Sequence, residues 1–200
     1  MARRVRLMAD SIRETMVIRR QFLAGVGTAA VGALLPDMAQ AGVARGLPLE
    51  QLVRRSAHIL RGRPLDAYSE WTRYGDQRRI VTYTRVRVDE ALVGGGEAEL
   101  LVRTLGGTVG KLGQVVHGEA DLLLNEDCVA FLMPDRDGVL GVTAMAQGHY
   151  PLASDSSGVV RLNPSRQLSV LLDDKTSAVA RLRGRSVLEA RELVKQAAKQ

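Results

Sequence analysis

Ile80-Val81-Thr82-Tyr83-Thr84-Arg85-Val86-Arg87-Val88 is the stretch on which the fold turns. Extended, it places Ile80, Thr82, Thr84, Val86 and Val88 on one face and Val81, Tyr83, Arg85 and Arg87 on the other. A helix would scatter these residues around its circumference, and the β-branched content suits a pleated surface. Val93 to Glu97 (Val-Gly-Gly-Gly-Glu) then supplies a turn. Beyond it Ala98, Leu100, Val102 and Thr104 alternate inward against Glu99 and Arg103, which predicts a β-hairpin.

Upstream of this hairpin, Gly75-Asp76 reads as a turn, and Ala57 to Gly62 as a strand continuing raggedly through Tyr68 to Tyr74. Leu47 to Val53 reads as a short helix with Pro48 in its first turn. Downstream, Asp127 to Met133 is an apolar run of strand length, Pro134 to Gly138 a turn, and Val139 to Ala146 the answering strand. Val159 to Leu162 and Leu168 to Leu172 are further strand candidates after the loop Ala153 to Gly158. Ser186-Val187-Leu188-Glu189 is a capping box, opening an amphipathic helix that presents Val187, Ala190, Leu193, Val194 and Ala197. Short strands, glycine-rich connections and a helix at either end predict a mainly β fold with flanking helices. The expected form is a small antiparallel OB-like barrel, with a β-sandwich as the alternative.

The first 41 residues carry a different pattern. Arg19 and Arg20 precede an apolar stretch from Phe22 to Pro36, and Ala39-Gln40-Ala41 follows as a small-residue cleavage site. That order is a secretory signal peptide. Its apolar part falls short of the roughly 20 residues a membrane span needs, so no permanent span is expected. Arg19-Arg20-Gln21-Phe22-Leu23 resembles the twin-arginine (Tat) signal, although Ile18 and Ala24 stand where that signal usually has Ser or Thr and Lys. The resemblance implies that the Tat translocase exports the chain already folded, to a periplasmic or extracellular location. Met16 would also serve as a start, leaving a compact basic segment before Arg19. The expected organisation is therefore a signal at 1–41, a β-barrel domain at 42–152, and a C-terminal extension at 153–200 with short strands and the terminal helix.

The 200-residue chain carries a formal net charge of +6, but six of its 28 Lys and Arg and three of its 22 Asp and Glu precede Gly42. What remains is +3, which with export argues against a nucleic-acid partner. Cys128 is the one cysteine, so no intramolecular disulfide can form, and within Cys128-Val129-Ala130-Phe131-Leu132-Met133 it reads as a buried small hydrophobe.

Gly106-Gly107-Thr108-Val109-Gly110-Lys111-Leu112-Gly113-Gln114 invites a phosphate-loop reading, which fails. Leu105 stands where the first glycine belongs and Leu112 where the hydroxyl belongs, and no helix is predicted to follow. The stretch from Thr104 to Asp127 is then expected to be a connection of about twenty residues without regular structure, a length often associated with function. The order of Leu47–Arg63, Thr82–Gly95, Val102–Met133 and Gly141–Leu152 resembles a group of exported bacterial proteins that share a GG-x-x-G-x-x-G segment, a strand ending in Phe-Leu and a closing Ala-Gln-Gly. That resemblance brings no activity with it. In layout the chain is also similar to the netrin/metalloproteinase-inhibitor barrels, which implies a protease-inhibitor-like module as one alternative. The cysteines of that family are absent, so no inhibitory residue carries over.

Two side-chain groups are candidates for chemistry. His117 and Glu119 with His149 could form a metal site, or the core of an enzyme, if their loops meet at a barrel mouth, although no H-x-x-x-H or C-x-x-C spacing supports it. Trp71, Tyr74, Tyr83, Arg85 and Arg87 interleave aromatic and cationic side chains as a polymer-binding face would. The alternative is an ordinary exposed hairpin whose arginines protect the sheet. No motif calls for a cofactor and no catalytic residue is assigned. The expected function is a non-catalytic binding or accessory protein of the bacterial envelope, with an envelope protein or a glycan as partner.

Overall fold

In a computed structural model of the chain, residues 43–135 and 137–200 are described; the signal, with Arg19, Arg20, Phe22, Leu23, Ala39 and Ala41, lies outside them. A short strand β1 (Val43–Arg45) leads to helix α1 (Leu49–Arg55), capped at its start by Pro48. Two 17-residue strands follow, β2 (His58–Tyr74) and β3 (Gln77–Val93), joined by Gly75-Asp76. Gly75 takes φ +61°, a turn conformation that glycine adopts without strain. The ragged reading of β2 has a physical basis: pairing with β3 slips at Ile59/Leu60, Arg61/Gly62 and Pro64/Asp66, and Pro64 has no N–H to give the ladder.

Strand β4 (Glu99–Leu105) pairs antiparallel with β3, as expected. The next stretch departs from expectation. Instead of an irregular loop, β5 (Gly107–Val109) and β6 (Leu112–Gln114) form a small hairpin of their own. Three-residue strands rich in glycine carry no alternation, so the sequence does not announce them. Strand β7 (Cys128–Pro134) comes next, then β8 (Leu140–Val142), which is much shorter than the predicted Val139–Ala146. Ala144 and Met145 take φ +56° and +58°, which ends the strand and starts a 3₁₀ turn at Met145–Gly148.

Strand β9 (His149–Ser154) was not expected, because Pro151 at its centre argues against a strand. Then come β10 (Val160–Leu162), β11 (Val170–Leu172), α2 (Ala178–Leu182) and α3 (Val187–Ala197). The Ser186–Glu189 capping box forms reciprocally, as its sequence predicts.

The chain is mainly β with a few helices, built on a seven-stranded sheet in the order β10-β9-β7-β2-β3-β4-β8. Strand β8 also pairs with β7. The sheet is not a simple closed barrel: β9 and β10 extend it past β7, and the parallel β4–β8 contact is only two residue pairs long. Strand β7 is buried on both faces, which is why it reads as an unbroken apolar run. Cys128, Ala130 and Leu132 pack with Leu60, Val86 and Val102 on one side. On the other, Val129 and Phe131 pack with Leu52, Leu182 and Val194 from the three helices. No described helix is long and apolar enough to cross a membrane.

Candidate functional site

Arg103 pairs with Tyr83 across β4 and β3, on the face that the alternation turns outward, yet it is only 7% exposed. Its guanidinium is enclosed by charge and by rings. Nη1 donates to Asp137 Oδ2 at 2.5 Å, and Nη2 to Asp135 Oδ2 at 2.8 Å and Asp137 Oδ1 at 3.0 Å. Its Cζ lies 5.3 Å from the centre of the Tyr74 ring, within cation–π range. Burial alone would lower its pKa, but hydrogen bonds to Asp137, Tyr83 and Asp135 more than offset that and raise it. The Tyr74 phenol is raised too, by burial and then by its hydrogen bond to Asp135. A turn that looked purely structural in sequence, Pro134 to Gly138, thus supplies both carboxylates that hold Arg103 in place. It is closed by Asp135 N donating to Val139 O and Gly138 N to Asp135 O.

Tyr74, Arg103 and Asp135 form one wall of a cleft of about 560 Å³, completed by Glu119, Met133 and Met145. A second recess of about 600 Å³ shares Tyr74, Arg103, Leu105 and Asp135, and reaches the Gly75 turn. The cleft therefore lies where the β2–β3 turn and the β7–β8 turn meet. Glu119 Oε1 accepts from Ala120 N at 2.9 Å and Oε2 from Leu105 N at 3.2 Å. Burial raises its pKa, and these two backbone bonds oppose the shift. Met145 reaches the cleft through the left-handed pair Ala144-Met145, and Ala146 N donates to Gly118 O at 2.9 Å beside it. Non-glycine residues in that region cost about 1–3 kcal/mol each and cluster at functional sites.

The other sequence candidates separate. Trp71 pairs with Ile80, on the face opposite Tyr83, so Trp71, Tyr74, Tyr83, Arg85 and Arg87 do not share a surface. Trp71 instead stacks under Arg78, 5.5 Å from the ring centre, and Tyr83 stacks on Tyr68 at 5.3 Å. Arg85 bonds Asp66, with Nε to Oδ2 at 2.9 Å, and Arg87 bonds Asp89 at 2.8 Å, so both cations have anions at hand. Of the metal candidates, His117 is exposed, Glu119 lines the cleft, and His149 is 2% exposed with Nδ1 3.3 Å from Ser165 Oγ. Among the described residues no group of three or more His, Cys, Asp or Glu is placed to hold a metal ion. Cys128 is buried in the sheet core, and burial pushes its thiol up to about 12.

Another hollow, of about 1140 Å³, lies between α1 and the Asp173–Thr176 turn. Its buried polar side chain, Gln147, spends both ends on backbone, accepting from Leu47 N at 2.9 Å and donating to Arg45 O at 3.1 Å. That is a clamp on the incoming chain. Comparison with family models, curated proteins and solved structures finds no match to this chain.

Proposed function

We propose that this chain is an exported, non-catalytic binding or accessory protein of the bacterial envelope, and that the Tyr74–Arg103–Glu119 cleft is where it binds its partner. The observation that carries the reading is the place of the cleft. The pairings run β2-β3-β4-β8-β7 and back to β2, with β4 and β8 parallel and the rest antiparallel. That order supports an OB-like barrel. The cleft sits between the loop joining its first and second strands and the loop joining its fourth and fifth, where such barrels commonly bind. The export reading rests on Arg19 and Arg20, the apolar stretch from Phe22 and Leu23 to Pro36, and the small-residue cleavage site at Ala39 to Ala41. A Tat passenger folded before export would present this cleft ready formed, and the modest charge favours an envelope protein or glycan over nucleic acid.

The test is capture by the C-terminally tagged full chain, expressed in a Tat-competent bacterium, with metal analysis of the same sample. One stoichiometric envelope component is expected, retained by the wild type and lost with Tyr74→Ala. Capture indifferent to both Tyr74→Ala and Glu119→Gln would move binding away from the cleft. A stoichiometric metal lost on His117→Ala or His149→Ala would replace the reading with that of a metalloprotein.

A further inference from the structure

Glu119 is set apart from the other carboxylates around the cleft. Asp135 and Asp137 are both engaged by Arg103. Glu119 is half-buried, receives only the Leu105 and Ala120 amides, and has no ion pair among the described residues. An ionised carboxylate offers about four acceptor positions, so about two remain open on a side chain that lines the cleft. A carboxylate withdrawn from water without a cation is costly, and a ligand cation would relieve that cost. Arg103 cannot serve as that cation, since its guanidinium is already divided between two aspartates and two tyrosines.

The walls specify the rest of the ligand. Met133 and Met145 are each 38% exposed, with Leu105, Pro134 and Val142 beside them. Thioether side chains adapt to flexible aliphatic chains, and an apolar surface ending at an anion suits a side chain with an alkyl stem and a charged head. The cleft is open at the turns, and its 560 Å³ exceeds what one alkylammonium fills, leaving room for the chain that carries it.

We propose that the cleft takes an alkylammonium group, the side chain of a lysine on a polypeptide partner, with Glu119 as its anion and Met133 and Met145 as the walls of its stem. This deepens the binding reading above and rests on it.

The methionines make the test direct, because the chain has six and Met133 and Met145 are the only two beyond residue 41. In the full chain labelled at its methionine methyl groups, these two resonances are identified by Met133→Leu and Met145→Leu. The probes are acetyl-Ala-Lys-Ala-amide, the same peptide acetylated on its lysine, and the free diamine cadaverine. Both methyls are expected to shift saturably with the lysine peptide and not with its acetylated form. Glu119→Gln should weaken that binding by roughly tenfold or more, the loss of one charged hydrogen bond. Equal shifts with the acetylated peptide overturn the ammonium assignment and leave the cleft as a binding site; that comparison uses wild-type protein and does not depend on a variant folding. Cadaverine binding as tightly as the peptide overturns the polypeptide source. Methyls indifferent to every probe overturn the ammonium class, and if Tyr74→Ala and Glu119→Gln both leave partner capture intact the cleft reading falls with it.

Discussion

At the scale of single residues, Arg103 and His149 show opposite ways of burying a titratable group. Arg103 stays charged because two aspartates and two tyrosines replace its water. His149 has only the Ser165 hydroxyl beside it: burial, opposed by the nearby charge of Glu126 and helped by that of Arg166, holds its pKa near 4 against an ordinary 6.5. The unfolded chain therefore takes up this proton first as pH falls. The stability tied to neutral His149 is fully present above pH 6.5, declines between 6.5 and about 4, and is gone below. The slope approaches about 1.4 kcal/mol per pH unit. Glu119, raised by burial, titrates with the opposite sign. Urea midpoints compared at pH 7 and pH 5 should fall for the wild type and fall markedly less for His149→Gln. An equal fall in both proteins would mean that another group is responsible.

At the scale of elements, the β5–β6 hairpin depends on one glycine. Gly107 takes φ +128°, and a Cβ there would run into the hydroxyls of Ser69 and Thr82. Those hydroxyls are themselves committed, Ser69 Oγ to Thr82 Oγ1 at 2.9 Å and Thr82 Oγ1 to Gly106 O at 2.8 Å. Gln114 closes the arrangement by accepting from Ile80 N at 2.9 Å. Gly107→Ala should detach the hairpin from β2 and β3, costing about 1–3 kcal/mol, and speed amide exchange at Ile80 and Gly106. Gly110→Ala at the hairpin tip meets open space but keeps a left-handed φ of +62°, so only its backbone term of about 1 kcal/mol is expected. Comparable losses from the two would show that packing at Gly107 contributes nothing. The sequence marked this stretch by its glycines but could not say what they were for, because the atoms that demand Gly107 belong to strands 25 and 38 residues away.

At the scale of the whole molecule, the C-terminal segment is part of the main core rather than an appendage. Val179, Leu182, Ala190 and Val194 cover Leu52, Ile59, Val129 and Phe131. Arg181 bonds Glu50, and Arg191 bonds Glu90, tying α2 to α1 and α3 to β3. A chain ending before Ala178 should therefore expose the apolar face of β7 and lose cooperative thermal unfolding by circular dichroism. A sharp transition retained in that truncation would show that residues 43–177 fold by themselves.

The long hairpin, the strand at Cys128–Pro134 and the capped C-terminal helix were legible in the amino-acid order alone, because each rests on a signal within a few residues: an alternation, an unbroken apolar run or a cap. Tyr74 and Glu119 were also picked out, but in separate groups and for other chemistry. Their meeting at Arg103, and the roles of Asp135 and Asp137, came only with tertiary structure. The physical reason is distance along the chain: Arg103 is enclosed by residues 20 to 34 positions away, and the residue type that alternation turns outward is buried by partners that no local pattern names.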